Sequence, residues 1–313
     1  MKIGINGNKF VATGDVALLG GHAREAAETG VDAYWLAQHP AGPLDALTAL
    51  AIIGRDVPGL ALGVGVVPVW GRHPVALAAQ ALTAAQGVPG GLTLGIGLSH
   101  PAMVGEHLGD DLYEQPLATM REYLEVLVPL VTTGSVDHEG ECFTCRTTVA
   151  LACETGPTVL VAALGGKMLE LAGRLAHGTI TSWTGPNTLR DHVVPTITRA
   201  AADAGNPPPC IASIFQVCVT DDVDRARESV HQWFEFHGKA PSYEAMLARE
   251  GVASASDVAI VGTEDEVRRR ILELADIGVT DLVVGEVLAP GETDTLRTRR
   301  LLAELASTSS PAL

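Results

Sequence analysis

Apolar residues recur along this chain in two alternating modes. Short runs rich in aliphatic and β-branched residues read as buried strands at 2–6, 33–37, 60–67, 92–97, 158–163, 179–183, 211–219 and 281–285. Between them, apolar positions return every three or four residues. That spacing predicts amphipathic helices at 15–29, 44–53, 74–86, 116–132, 167–176, 186–204, 223–237 and 264–277. Several boundaries carry their own chemistry. Thr263-Glu-Asp-Glu266 is a capping box and Gly278 a stop, while Pro74, Pro116 and Pro186 open helices where a missing N–H is harmless.

No linker interrupts the alternation. The pattern predicts an α/β fold, a (β/α)8 TIM barrel spanning 1–313 as one domain, with each strand followed by a helix. A doubly wound sheet is the alternative, because periodicity does not reveal closure. Three excursions, at 99–115, 134–151 and 238–258, exceed a minimal barrel. The first and third are where substrate contacts are expected, since insertions at the C-terminal face of a barrel build its site.

The stretch from Pro157 to Trp183 carries the clearest chemistry. It reads strand, Leu164-Gly165-Gly166 turn, helix, strand. Backbone N–H groups at the start of a helix favour an anion, and Lys167 adds a full positive charge there, so a phosphate-bearing ligand suits the turn. A tight connection alone also accounts for the glycines. Neither a Walker loop nor a G-x-G-x-x-G fingerprint is present.

Composition narrows the class. Aromatic residues make up only 4% against 47% hydrophobic, so the core is aliphatic. The net charge of -16 argues against a nucleic-acid or anionic-membrane surface. No apolar run reaches membrane-span length and no signal peptide is visible, so a cytoplasmic location is expected. Five cysteines fit reduced thiols. His138, Cys142, Cys145 and Cys153 have a spacing that could bind zinc, but ordinary thiols are favoured and no metal is expected.

Particular segments then point to a family. Ala33-Tyr-Trp-Leu-Ala-Gln-His39, Leu62-Gly-Val-Gly-Val-Val-Pro68, Arg72-His73-Pro74, Leu94-Gly-Ile-Gly-Leu-Ser-His100, 162–167 and Ala172-Gly-Arg-Leu-Ala-His-Gly178 occur in a characteristic order. The chain resembles the luciferase-like monooxygenase superfamily, in its branch of oxidoreductases that use the deazaflavin coenzyme F420. The resemblance implies a barrel with coenzyme at the C-terminal ends of the strands. It implies coenzyme phosphate against Ala163, Leu164, Gly165, Gly166 and Lys167, and a non-prolyl cis peptide at Gly65–Val66 behind the ring. It implies, too, hydride transfer to or from a small-molecule substrate in a homodimer.

His39 is the candidate proton donor or acceptor and lies beside the coenzyme, because a histidine matching it serves so in a related sugar-phosphate dehydrogenase. That relative has an aspartate where Gln38 stands, and a glutamate where His100 stands. His100 is therefore a second catalytic candidate, and Leu98 and Ser99 are candidates for holding the coenzyme. A histidine at a strand end that merely bonds backbone is the alternative for each. His73 and His177 read as structural, the latter as a cap on the helix dipole, and Trp183 as either a pocket wall or core. Asp221, Asp222 and Asp224 read as helix caps, and Arg268, Arg269 and Arg270 as a solvated face. An FMN-dependent monooxygenase on the same barrel and a non-catalytic coenzyme-binding barrel are the rival readings.

Overall fold

The structure is a computed structural model and describes residues 1–109, 113–151, 156–237, 240–288 and 295–309. Its strands in chain order are β1 (Lys2–Asn6), β2 (Ala33–Leu36), β3 (Ala61–Pro68), β4 (Leu92–Gly97), β5 (Ser135–Glu139), β6 (Thr144–Thr148), β7 (Thr158–Ala162), β8 (Gly178–Ser182), β9 (Cys210–Val219), β10 (Ile260–Gly262) and β11 (Asp281–Glu286). Parallel pairing runs β11-β1-β2-β3-β4-β7-β8 and returns through β9 to β11, so eight strands close a barrel. The doubly wound alternative is excluded by that closure.

Each predicted strand has a counterpart, but one part of the alternation is wrong. Both predicted helices Val223–His237 and Glu264–Ile277 fall between β9 and β11, together with Pro241–Glu250 and Ala255–Val258, so the strands are not each followed by a single helix. The unforeseen strand β10 separates the two predicted helices. It pairs with the last three residues of β9, Val217 to Val219, where the pairing with β11 ends at Val217. The helix that follows the eighth barrel strand is Leu296–Ser309. A strand of three residues is too short to register as a period.

The core has two layers. One is the ring between strands and helices, where Ile3, Ile5, Tyr34, Leu36, Leu94 and Ile96 are almost wholly buried. The other fills the lumen, and its centre is Trp35, 4% exposed, packed with Ile180 and Val283. A methyl group added to Gly63 would overlap the Trp35 indole, and one added to Gly4 would lie 2.8 Å from it. The strand glycines that read as a motif thus have a packing cause: one indole takes the volume of several side chains.

The excursion at 134–151 is an antiparallel hairpin, β5 with β6, with His138 opposite Cys145. It joins a helix to the next strand, so it departs from the N-terminal face of the barrel and is not an insertion at the C-terminal face. Its tip bends toward the helix Pro116–Thr132, where the Glu122 carboxylate accepts the N–H groups of Glu141, Cys142 and Phe143. His138 faces Glu122 and Glu125, not thiols. Cys153 of the zinc spacing lies outside the described residues, and among the described residues no metal-competent cluster of three ligands forms. Likewise, no described helix is long and apolar enough to cross a membrane.

Several surface readings are settled by contacts. His73 caps the helix Pro74–Gln86 by accepting the Val75 N–H. His177 does not cap a dipole: its Nδ1 accepts the Val159 N–H at 2.9 Å and so ties β8 to β7. Glu266 accepts the Thr263 N–H in the capping box. Asp222 accepts the Arg225 N–H, as a cap should, whereas Asp221 pairs with Arg297. Arg270 departs from the solvated face, because its guanidinium donates to the carbonyls of Ala259 and Val258.

Candidate active site

The C-terminal ends of the strands carry the irregular backbone of this molecule. In β3 the Gly65–Val66 bond is cis, and the register with β4 shifts between Val64 and Val67. Val66 needs space on the neighbouring strand. Gly97 provides it, since a methyl group there would sit 2.8 Å from the Val66 side chain. Ser99 and Trp183, just past β4 and β8, have φ of 58° and 54°, a left-handed conformation that costs a non-glycine residue free energy. Such residues gather where a site imposes geometry. Around Ser99 the cause is visible: Trp70 Nε1 donates to the Leu98 carbonyl, and Tyr113 Oη donates to the Ser99 carbonyl at 3.2 Å.

The two expected histidines have different neighbours. His39 lies three residues past β2, and its ring meets that of His107 edge-on, 5.7 Å between centroids. Burial and the His107 charge lower its pKa from the ordinary 6.5, and Glu106 partly offsets them. His100 caps the helix Pro101–Leu108 by position but makes no capping hydrogen bond. Its ring stands edge-on to Tyr243 at 5.1 Å, and burial lowers its pKa.

These contacts connect the two excursions on which substrate contacts were expected. The helix Pro101–Leu108 supplies Glu106 and His107 to His39, and the helix Pro241–Glu250 supplies Tyr243 to His100. Residues 110–112 and 238–239 of these excursions lie outside the described set. Glu250 anchors the second helix to the barrel, accepting the N–H groups of Asn187 and Thr188 after β8. Sequence reasoning missed Glu106, His107, Tyr243 and Glu250. Only their place inside the excursions marked them.

Trp183 is 6% exposed, and its ring packs against Phe234 and Trp233. It belongs to a satellite core with Cys218, Val230 and Leu247, and it also lines a small cavity with Thr184 and Gln216, so both readings of it hold.

The glycine turn forms as expected. The helix Gly166–Leu175 begins after β7, with Gly165 at its cap position and no side chain accepting there. The first N–H groups of a helix have no intrahelical acceptor, so they remain open to a ligand. Gly165 has φ -80° and ψ 147°, which any residue adopts. A methyl group at Gly165 or Gly166 would meet no atom within 4 Å. Neither backbone conformation nor packing therefore requires glycine here. Open volume beside bare amides does have a use, namely close approach of an anion to the main chain. Lys167 is exposed at the same place.

Comparisons with known proteins agree with this architecture. A profile of the luciferase-like monooxygenase family matches residues 6–281. The 5,10-methylenetetrahydromethanopterin reductase of Methanolobus tindarius is 26% identical over 93% of this chain and 97% of its own. The F420-dependent glucose-6-phosphate dehydrogenase of Segniliparus rotundus is 26% identical over 80% of this chain and 79% of its own. Among solved structures, the coenzyme F420 dependent tetrahydromethanopterin reductase from Methanopyrus kandleri superimposes with a TM-score of 0.79 at 20% identity, covering 97% of each chain. The family profile spans most of the barrel, from the end of β1 to the start of β11, and on that ground this chain belongs to the luciferase-like monooxygenase family.

Proposed function

We propose that this protein is a coenzyme F420-dependent oxidoreductase that transfers a hydride between the deazaflavin and a small organic substrate. The observation that carries the proposal is the uncapped helix start at Gly165–Gly166, with open space where side chains would stand. The relatives named for F420 dependence support the choice of coenzyme. When bound, the deazaflavin supplies the hydride chemistry at its ring.

The residues of this chain divide the remaining work. Ala163, Leu164, Gly165, Gly166 and Lys167 would hold the phosphate-bearing tail, through main-chain amides and one ammonium. Gly65 and Val66 would back the ring, with Leu98 and Ser99 at its edge. His39 would move the proton. Its lowered pKa leaves the imidazole mostly unprotonated at neutral pH. It can then take a proton from a substrate being oxidised and return one to a substrate being reduced. His100 would serve as a second proton group or as a wall against the substrate.

Mixing the purified protein with F420 or FMN and following absorbance tests the reading. F420 binding is expected, while FMN binding without F420 binding would overturn it in favour of an oxygen-using flavoenzyme. Binding without turnover of alcohols, imines or enones would favour a carrier. In the His39→Ala variant coenzyme affinity should stay within about twofold, while turnover falls roughly 10²-fold, the usual lower scale for losing an acid–base group. With a substrate being oxidised, where His39 must be unprotonated, the acid limb of the unaltered protein's pH profile should lie below 6.5 and vanish in that variant. Unchanged turnover removes His39 from the chemistry. Gly165→Val should leave the fold intact, since its side chain meets open space, yet weaken coenzyme binding about 10-fold or more, or 1.4 kcal/mol. Equal affinity by titration would place the phosphate elsewhere.

A further inference from the structure

We propose that His192 is a positioning residue for the coenzyme: it clamps the Leu164 carbonyl and thereby aims the Gly165 amide at the phosphate. This rests on the proposed role of the glycine turn. His192 Nε2 lies 2.8 Å from the Leu164 carbonyl oxygen. A carbonyl only accepts, so Nε2 carries the hydrogen and donates.

The peptide unit between Leu164 and Gly165 is planar, and its C=O and N–H point in opposite directions. Fixing the carbonyl on one side therefore fixes the Gly165 N–H on the other. Without the clamp this unit can rotate, because glycine accepts most backbone angles and no atom stands where a Gly165 side chain would begin. A rotated unit would turn the carbonyl's negative end toward the anion and withdraw a donor. The loss would be felt as affinity, not as a change in the chemical step.

The placement of His192 has a cause in its own helix. The helical segment from Pro186 to Asp203 widens into a π turn at Leu189–Val193, where the Val194 N–H bonds to the Leu189 carbonyl five residues back. Pro195 follows at once. It has no N–H for the carbonyl four residues earlier, and its ring would crowd that carbonyl in a regular helix. The wider turn relieves that crowding and carries His192 within it. Single π turns of this kind recur at functional sites.

The test compares F420 affinity, by titration of coenzyme fluorescence, in the unaltered chain and in His192→Phe and His192→Gln, with thermal unfolding of each alongside. His192→Phe keeps the ring volume without a donor, and should weaken binding about 10-fold, as expected for one lost hydrogen bond in a charged site. Its turnover at saturating coenzyme should stay within about twofold of the unaltered protein. His192→Gln offers an amide N–H near the Nε2 position and should recover most of the affinity. Equal affinity in a folded Phe variant overturns the proposal, as does a folded Gln variant as weak as Phe. Failure of the unaltered chain to bind F420 overturns the proposed function instead, and the His192 series is then read with FMN. Binding of neither overturns both.

Discussion

Arg299→Ala should destabilise the fold by about 3–5 kcal/mol, the scale for removing one partner of a buried ion pair. Arg299 extends from the C-terminal helix into a polar cluster at the top of the barrel. Its Nε and one terminal nitrogen donate to the two oxygens of Glu286, at 2.6 and 2.9 Å. The Glu286 side chain is 1% exposed, and without Arg299 its carboxylate keeps, beside Thr295, the longer contacts to His22 at 3.4 Å and Lys9 at 3.9 Å. Arg299 also donates to His22 Nε2. The arginine has no acceptor, so that nitrogen accepts, which leaves His22 Nδ1 to donate to Tyr34 Oη at 3.0 Å. One guanidinium thus joins the last helix to the helix Val16–Thr29 and to strands β2 and β11.

The pH dependence has a defined sign. Burial by itself would raise the Glu286 carboxyl, but the Arg299 hydrogen bonds and charge, together with the neighbouring His22 and Thr295, outweigh it and hold the pKa at about 2, below the ordinary 4.5. A depressed carboxyl pKa adds stability that is fully present above the unfolded value and is lost as pH falls from 4.5 toward 2. In the variant the Arg299 share of that contribution, the largest of the lowering causes, is absent. Denaturant unfolding at pH 7 and pH 3 should therefore show the gap between the two proteins narrowing in acid. A gap of under about 1 kcal/mol at pH 7 would mean that the cluster holds its charge without the arginine.

Trp35→Ala should cost a similar amount, about 3–5 kcal/mol, the range for emptying a buried large aromatic. Its indole fills the lumen against Gly4, Gly63 and Ile180, and small strand residues leave nothing else to collapse into the void. The site should suffer with the fold. Gly65 and the cis bond stand directly above this layer, and Trp35 lies 3.7 Å from where a Gly65 methyl would be. Coenzyme affinity should accordingly fall together with the unfolding midpoint. A stable variant with unaltered affinity would show that the floor of the site does not depend on lumen packing.

The glycine turn was legible before any coordinates, because it sits at a strand end that periodicity locates, whereas His39 and Gly65–Val66 were expected only from the family resemblance. The resemblance then placed the cis bond, and the structure has it at that position. Strand ends are local facts: an apolar run stops, a glycine or histidine follows, and the barrel brings every such end to one face. The groups that sequence missed share the opposite property. Glu106 and His107 meet His39 across β3, Tyr243 meets His100 at a separation of 143 positions, and His192 reaches back to Leu164. Nothing local encodes such contacts.

The same division holds for the fold. Alternating apolar periods determined the eight barrel strands, most of the helices and the places where excursions leave the frame. They could not determine closure, since a strand's own pattern is the same in an open and a closed sheet. Nor could they reveal β10, or the reason that Gly4 and Gly63 are glycines. Those were decided by volume: a barrel encloses one small lumen, Trp35 occupies it, and the neighbouring strands must yield. The chain's pattern says which side of each element faces inward, and only the tertiary structure says what waits there.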